Sequence, residues 1–193
     1  SIESNSKPCI TTGLRGLSYM EIELIGPNRD LHSGVYGGAV PNPLNTIVDI
    51  LSKLHDKDKK ISIPGFYDNV KLYSDKERLE LKKNSSQDGE LFKKDIDIID
   101  YEGEKQYDYD ERISIRPSLD INGIWGGYQG EGAKTVIPSK AYAKVSMRLV
   151  PNQDWNRISD LFKNYIKSIT PKNTLVNIKT HHGGLPYISD TSS

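Results

Sequence analysis

The stretch Ala141-Tyr-Ala-Lys-Val-Ser-Met-Arg-Leu-Val150 alternates strictly, with Ala141, Ala143, Val145, Met147 and Leu149 on one face and Tyr142, Lys144, Ser146 and Arg148 on the other. A period of two with one apolar face predicts a strand buried on one side and open on the other. Upstream, Met20, Ile22 and Leu24 alternate with Tyr19, Glu21 and Glu23 and stop at Gly26-Pro27, which predicts a second strand of the same kind. Between the two, Asn42-Pro43 offers an N-cap and a proline at the first helical position, followed by Leu44, Ile47, Val48, Leu51 and Leu54 at helical spacing. Downstream, Trp155, Ile158, Leu161, Phe162, Tyr165, Ile166 and Ile169 form one stripe over 154–169, and Pro171 stops it. Residues 118–125 and the alternating Val176, Ile178 and Thr180 complete the pattern as strands. The order is strand, helix, two strands, helix, strand, each with a single apolar face. It fits an α+β fold, a two-layer βαββαβ (ferredoxin-like) sandwich covered on one side. Residues 61–116 are an interruption that this core does not need, and they read as a long insertion between the first helix and the second strand.

The composition narrows the function. A chain of 193 residues buries roughly 70% of its unfolded surface. Its 26 Lys+Arg balance 26 Asp+Glu, and no basic block stands out, which argues against nucleic-acid binding through phosphate neutralisation. No uncharged apolar run approaches 18 residues, and the first residues lack the pattern of a signal peptide, so a soluble, non-membrane chain is expected. The single Cys9 excludes an internal disulfide and suits a reducing, cytoplasmic location.

Candidate chemistry is sparse. Residues 95–111 carry eight acids and one base, which predicts a solvated acidic loop; they lack the ligand spacing of a calcium loop. Gly127-Tyr-Gln-Gly130-Glu-Gly132-Ala133-Lys134-Thr135 superficially resembles a phosphate loop but leads into Val136-Ile137-Pro138, where a helix would be needed. The histidines are His32, His55, His181 and His182. His55 ends a helix, where a cation complements the dipole. His181 and His182 would point to opposite faces of a strand, so no intrinsic metal centre is expected. His32 lies in a Gly-rich loop, and Asp30 two residues earlier could fix its tautomer, leaving one ring nitrogen to donate to an oxyanion or a carbonyl.

Several ordered motifs then point one way. Gly13-Leu-Arg-Gly16 precedes the first strand; Gly26-Pro-Asn-Arg-Asp-Leu-His32-Ser-Gly-Val-Tyr-Gly-Gly38 follows it; then come Asn42-Pro43, Ile63-Pro-Gly-Phe-Tyr-Asp68, the run from Ser114 to Pro138, and Ser146-Met-Arg-Leu-Val-Pro151. Together they resemble the lid, or dimerisation, domain of the di-zinc dipeptidase, carboxypeptidase and desuccinylase family, especially its carnosine dipeptidase-like branch. The resemblance implies a leading linker at 1–16, a lid at 17–182 and a trailing linker at 183–193 that returns to a catalytic domain absent from this sequence. It implies a parent zinc metallopeptidase or amide hydrolase, such as a dipeptidase or a succinyl-diaminopimelate desuccinylase, that binds two zinc ions through residues outside this chain. The 193 residues alone are then inactive and bind no metal. It implies a homodimer through the lid. By the same resemblance His32 stabilises the oxyanion in the partner subunit's site, Thr135 contacts substrate, and Arg148 binds the substrate's terminal carboxylate. His182, or its neighbour His181, is a further active-site histidine, and Asn122 a further substrate contact. From another class, a free-standing ferredoxin-like module for ligand binding or dimerisation remains the alternative. Whether the substrate is a dipeptide or an acylated amino acid stays open.

Overall fold

The computed structural model describes residues 2–4, 7–8, 12–84 and 89–189. Six elements form the core: β1 (Gly16–Ile25), α1 (Pro43–Ser52), β2 (Ser118–Gly126), β3 (Lys140–Leu149), α2 (Trp155–Ile169) and β4 (Leu175–Gly184). The strands lie in the order β2-β3-β1-β4, every neighbour antiparallel, as a βαββαβ sandwich requires. β1 and β3 pair without interruption from Gly16↔Leu149 to Ile25↔Lys140. This register puts Met20, Ile22 and Leu24 on the same face as Ala141, Ala143, Val145, Met147 and Leu149, all fully buried. Ile47, Ile50 and Leu51 of α1 and Ile158, Phe162 and Ile166 of α2 close over them, each contributing about 1.5–3 kcal/mol through burial of the larger side chains. Asn42 caps α1 by accepting from the Leu44 N–H at 3.0 Å, and Asp154 caps α2 by accepting from the Arg157 N–H at 2.9 Å. Among the described residues no helix covers the other face of the sheet.

The insertion differs from the expectation in two ways. Ile61, Ile63 and Phe66 belong to the core cluster, so the excursion leaves the sandwich only after them, not at residue 61. It then forms three short helices, Asp75–Asn84, Gly89–Asp95 and Tyr109–Ser114. Nor is its acidic stretch uniformly solvated, because Glu104 and Glu111 are buried. Glu104 accepts from Arg116 Nε at 2.6 Å and Nη2 at 3.1 Å, and from the Tyr67 hydroxyl, whose pKa is driven up by burial and by that carboxylate. Glu111 pairs with Arg78 and completes a capping box with Asp108. The cations that neutralise these acids come from outside the stretch, which is why a local charge count misses them.

The segments before β1 and after β4 meet. Gly13 and Leu14 pair antiparallel with Ile188 and Tyr187, so the strand leading into β1 and the strand leaving β4 run side by side. Ile2–Ser4 and Lys7–Pro8 form a separate two-stranded pair; the rest of the 1–11 segment, including Cys9, and residues 190–193 lie outside the described residues. Among the described residues no helix is long and apolar enough to cross a membrane.

Candidate active-site face

His32 is placed by a two-residue ladder. Leu31 and His32 pair with Ile137 and Val136, and the Ser33 N–H donates to the Thr135 carbonyl at 3.0 Å, so the ladder brings His32 and Thr135 together. The ring is exposed, and its Nδ1 accepts from the Gly34 N–H at 2.8 Å. Asp30 does not orient the ring, contrary to expectation. Its Oδ1 accepts from the Ser139 N–H at 2.8 Å and ties the loop to the start of β3 instead. A ring nitrogen that accepts is the unprotonated one, so the hydrogen-bond geometry assigns the proton of the neutral imidazole to Nε2. Nε2 has no partner among the described residues and is left as a donor. Gly34 makes this possible, because a Cβ there would stand 2.6 Å from His32 Cε1.

Arg148 and His182 occupy the open face at the other end of the sheet. Arg148 is exposed, faces Leu17 on one side and Ser118 on the other, and makes no hydrogen bond or ion pair among the described residues. The histidine pair departs from the simple strand expectation. A bulge opposite Tyr19 and Met20 pairs Tyr19 with His182 and Met20 with Thr180, leaving His181 as the extra residue. Both rings therefore reach the open face: His181 Nε2 lies 2.7 Å from Glu21 Oε2, and His182 stacks on Tyr19 with centroids 5.3 Å apart. His181 is thus tied to Glu21, and His182 makes no hydrogen bond among the described residues. Gly183 follows because the Trp155 ring covers it, within 2.1 Å of where a Cβ would be. The register sets Arg148 and His182 two strands and two residues apart, roughly 12 Å.

Asn122 is the extra residue of a bulge between Ile121 and Gly123, exposed at the edge of β2 and about 13 Å along the strand from Ser118. It joins neither group. The two groups sit toward opposite ends of β1: Ile25, where the chain leaves for the His32 loop, is eight residues, roughly 27 Å, from Leu17 beside Arg148, and six, roughly 20 Å, from Tyr19 beside His182. His55 corrects another expectation. α1 ends at Ser52, and His55 lies beyond it in an isolated bridge with Ile61, where burial first, and Lys59 second, lower its pKa. Among the described residues no three of His, Cys, Asp or Glu converge on a point that could hold a metal ion, so these residues do not fit a metal centre. Sequence reasoning missed Gly34 as the partner of His32 and Glu21 as that of His181; a Gly two residues after a loop His was the only signal for the first.

The comparisons with known proteins agree with this fold. The model of the peptidase dimerisation domain family matches residues 12–174. The Cys-Gly metallodipeptidase DUG1 of Candida albicans is 35% identical over 198 residues, covering 96% of this chain and 39% of that protein. Among solved structures, human carnosine dipeptidase 1 superposes with a TM-score of 0.84 at 29% identity, over 97% of this chain and 40% of that one. An M20 family metallo-carboxypeptidase, Sso-CP2 from Sulfolobus solfataricus, gives 0.84 at 30% identity, over 100% of this chain and 49% of its own. The chain thus spans less than half the length of each. The sandwich, its order of strands and this extent of matching establish that the chain belongs to the peptidase dimerisation domain family.

Proposed function

We propose that the chain serves as the lid and dimerisation domain of a zinc-dependent dipeptidase or related amide hydrolase of the cytoplasm, and that it works as a homodimer in which each active site draws on both lids. The observation that carries this reading is the separation within one chain. The His32 loop leaves β1 at its Ile25 end, whereas Arg148 and His182 pair with Leu17 and Tyr19, eight and six residues back along the strand, roughly 27 and 20 Å; an extended dipeptide spans only about 7 Å. A two-fold axis removes the difficulty. Beyond the part that the insertion crosses, the β2 edge is exposed and partly apolar, with Ile121 42% and Ile124 48% exposed. Antiparallel pairing of two such edges sets the His32 end of one protomer beside the Arg148 end of the other.

In the assembled site the zinc ions would polarise the scissile carbonyl and activate water. The residues of this chain bind and stabilise. The Arg148 guanidinium offers a bidentate fork to the substrate's terminal carboxylate, and His182 borders the same face. With Nδ1 engaged by the Gly34 N–H, the exposed His32 ring keeps its Nε2–H as a donor for the oxyanion that forms when the amide carbonyl becomes tetrahedral. One such donor is worth about 10²–10³ in kcat. The test is complementation in the full-length enzyme. His32→Ala and Arg148→Ala subunits, each inactive alone, are refolded together. If the site is shared, half the dimers are mixed and each carries one intact site, restoring about a quarter of wild-type turnover. If the mixture stays as inactive as its parents, the shared site is wrong.

A further inference from the structure

A cleft of about 410 Å³ lies where the insertion crosses the edge of β2. Its walls carry Arg15, Lys59, Arg112 and Arg116 against Glu102, Glu104 and Asp120. Lys59 is matched by Glu102 and Arg116 by Glu104. Among the described residues Arg15 and Arg112 are not matched by a carboxylate in hydrogen-bonding range. Arg15 Nη1 reaches only the Arg112 carbonyl at 3.5 Å, and Arg112 Nε the Glu104 carbonyl at 3.0 Å. The remaining acid, Asp120, is exposed and accepts from the Ser118 hydroxyl at 3.2 Å. Burial, and then the charge of Arg148, lower the pKa of Arg15, while Asp120 opposes them. A partly buried guanidinium without a carboxylate in hydrogen-bonding range is an incomplete pair, and its planar fork suits a carboxylate or a phosphate.

Its location gives that incomplete pair a direction. Arg15 lies two residues before Leu17, the cross-strand partner of Arg148, and Ser118 in the cleft wall is the partner of Arg148 on the other side. Diagonal positions of this kind stand about 7–8 Å apart. We propose that Arg15 and Arg112 form an anion subsite continuous with Arg148. It takes the second anionic group of a doubly anionic ligand, namely a peptide or acyl-amino acid whose C-terminal residue carries a side-chain carboxylate. This rests on the assignment of Arg148 to the terminal carboxylate.

The test uses the 193-residue chain, with binding read from amide NMR shifts at constant ionic strength and with glutarate, acetate and inorganic phosphate as probes. Glutarate is expected to saturate about 10-fold more tightly than acetate and to shift Arg15, Ser118 and Arg148 together. Arg15→Gln should reduce glutarate to the affinity of acetate, and Arg148→Gln should abolish acetate binding. Equal affinities for glutarate and acetate, or an Arg15→Gln chain that binds glutarate as before, overturn the subsite and leave Arg148 untouched. Acetate binding that survives Arg148→Gln overturns the Arg148 assignment instead. Phosphate bound as tightly as glutarate, with Arg148 unperturbed, makes the cleft a separate anion site and overturns the continuity. Should Arg15→Gln not fold, Arg112→Gln provides the same comparison.

Discussion

Truncating Glu104 to alanine tests how the insertion is held to the sandwich. Glu104 is 8% exposed and Arg116 6%. Two hydrogen bonds join them, at 2.6 and 3.1 Å, and the guanidinium lies over the Tyr107 ring at 4.2 Å and the Tyr67 ring at 5.2 Å. Glu104→Ala leaves that guanidinium buried without its anion and the Tyr67 hydroxyl without its acceptor. Breaking a buried pair from one side costs about 3–5 kcal/mol. In a chain of this size each kcal/mol moves Tm by about 2–4 °C, so the midpoint should fall by roughly 6–20 °C. Replacing both partners, Glu104→Leu with Arg116→Met, removes both charges and should cost about 1 kcal/mol or less. A cycle closed with the single variants Glu104→Leu and Arg116→Met should therefore show a coupling of about 2 kcal/mol or more. Urea melts followed by tryptophan fluorescence report the core, because Trp125 and Trp155 lie on β2 and α2. Amide exchange reports the insertion. A Glu104→Ala chain that loses less than about 1 kcal/mol, or a double variant as damaged as the single one, would refute the reasoning.

Four further outcomes are expected. Phe162→Ala, at a fully buried position between α2 and the sheet, should cost about 3–5 kcal/mol in chemical denaturation. Asp154→Ala removes the cap of α2 and should cost about 1 kcal/mol, while Asp154→Ser should recover most of it. Because His55 binds its proton less readily when folded than at its ordinary value of 6.5, stability should fall as pH drops below 6.5; thermal melts of His55→Gln should show a shallower slope there. Glu77 is held down to about 2 by Lys71 and by the Ser74 N–H and hydroxyl, so its contribution is present above 4.5 and disappears as pH falls toward 2, and Glu77→Gln should lack that acid-side loss.

The core was legible because it obeys local periods. Alternation in β1 and β3 and the stripe of α2 set which faces meet, and Asn42-Pro43 marked the start of α1. The insertion was not legible, because Asp75–Asn84 has no apolar stripe and its order comes from long-range pairs such as Arg78 with Glu111. At the candidate site, loop composition singled out His32, but the identity of its partner depended on the backbone path: the ring turns back onto the Gly34 amide, while Asp30 turns away to Ser139. The histidine doublet failed for a similar reason. A one-residue bulge reverses the side on which a side chain emerges, and no residue type near 181 announces it.

The pairing of Gly13 and Leu14 with Tyr187 and Ile188 also bears on how such a unit can be carried by another protein. Paired strands hold the two crossing points about 5 Å apart, so a host meets the folded unit as it would the tip of a hairpin. The entropy of closing a loop grows with the length left free, not with the mass enclosed. A unit of more than 150 residues can therefore be grafted, exchanged or rejoined by a short tether across its ends, with little loss of order in the chain that carries it.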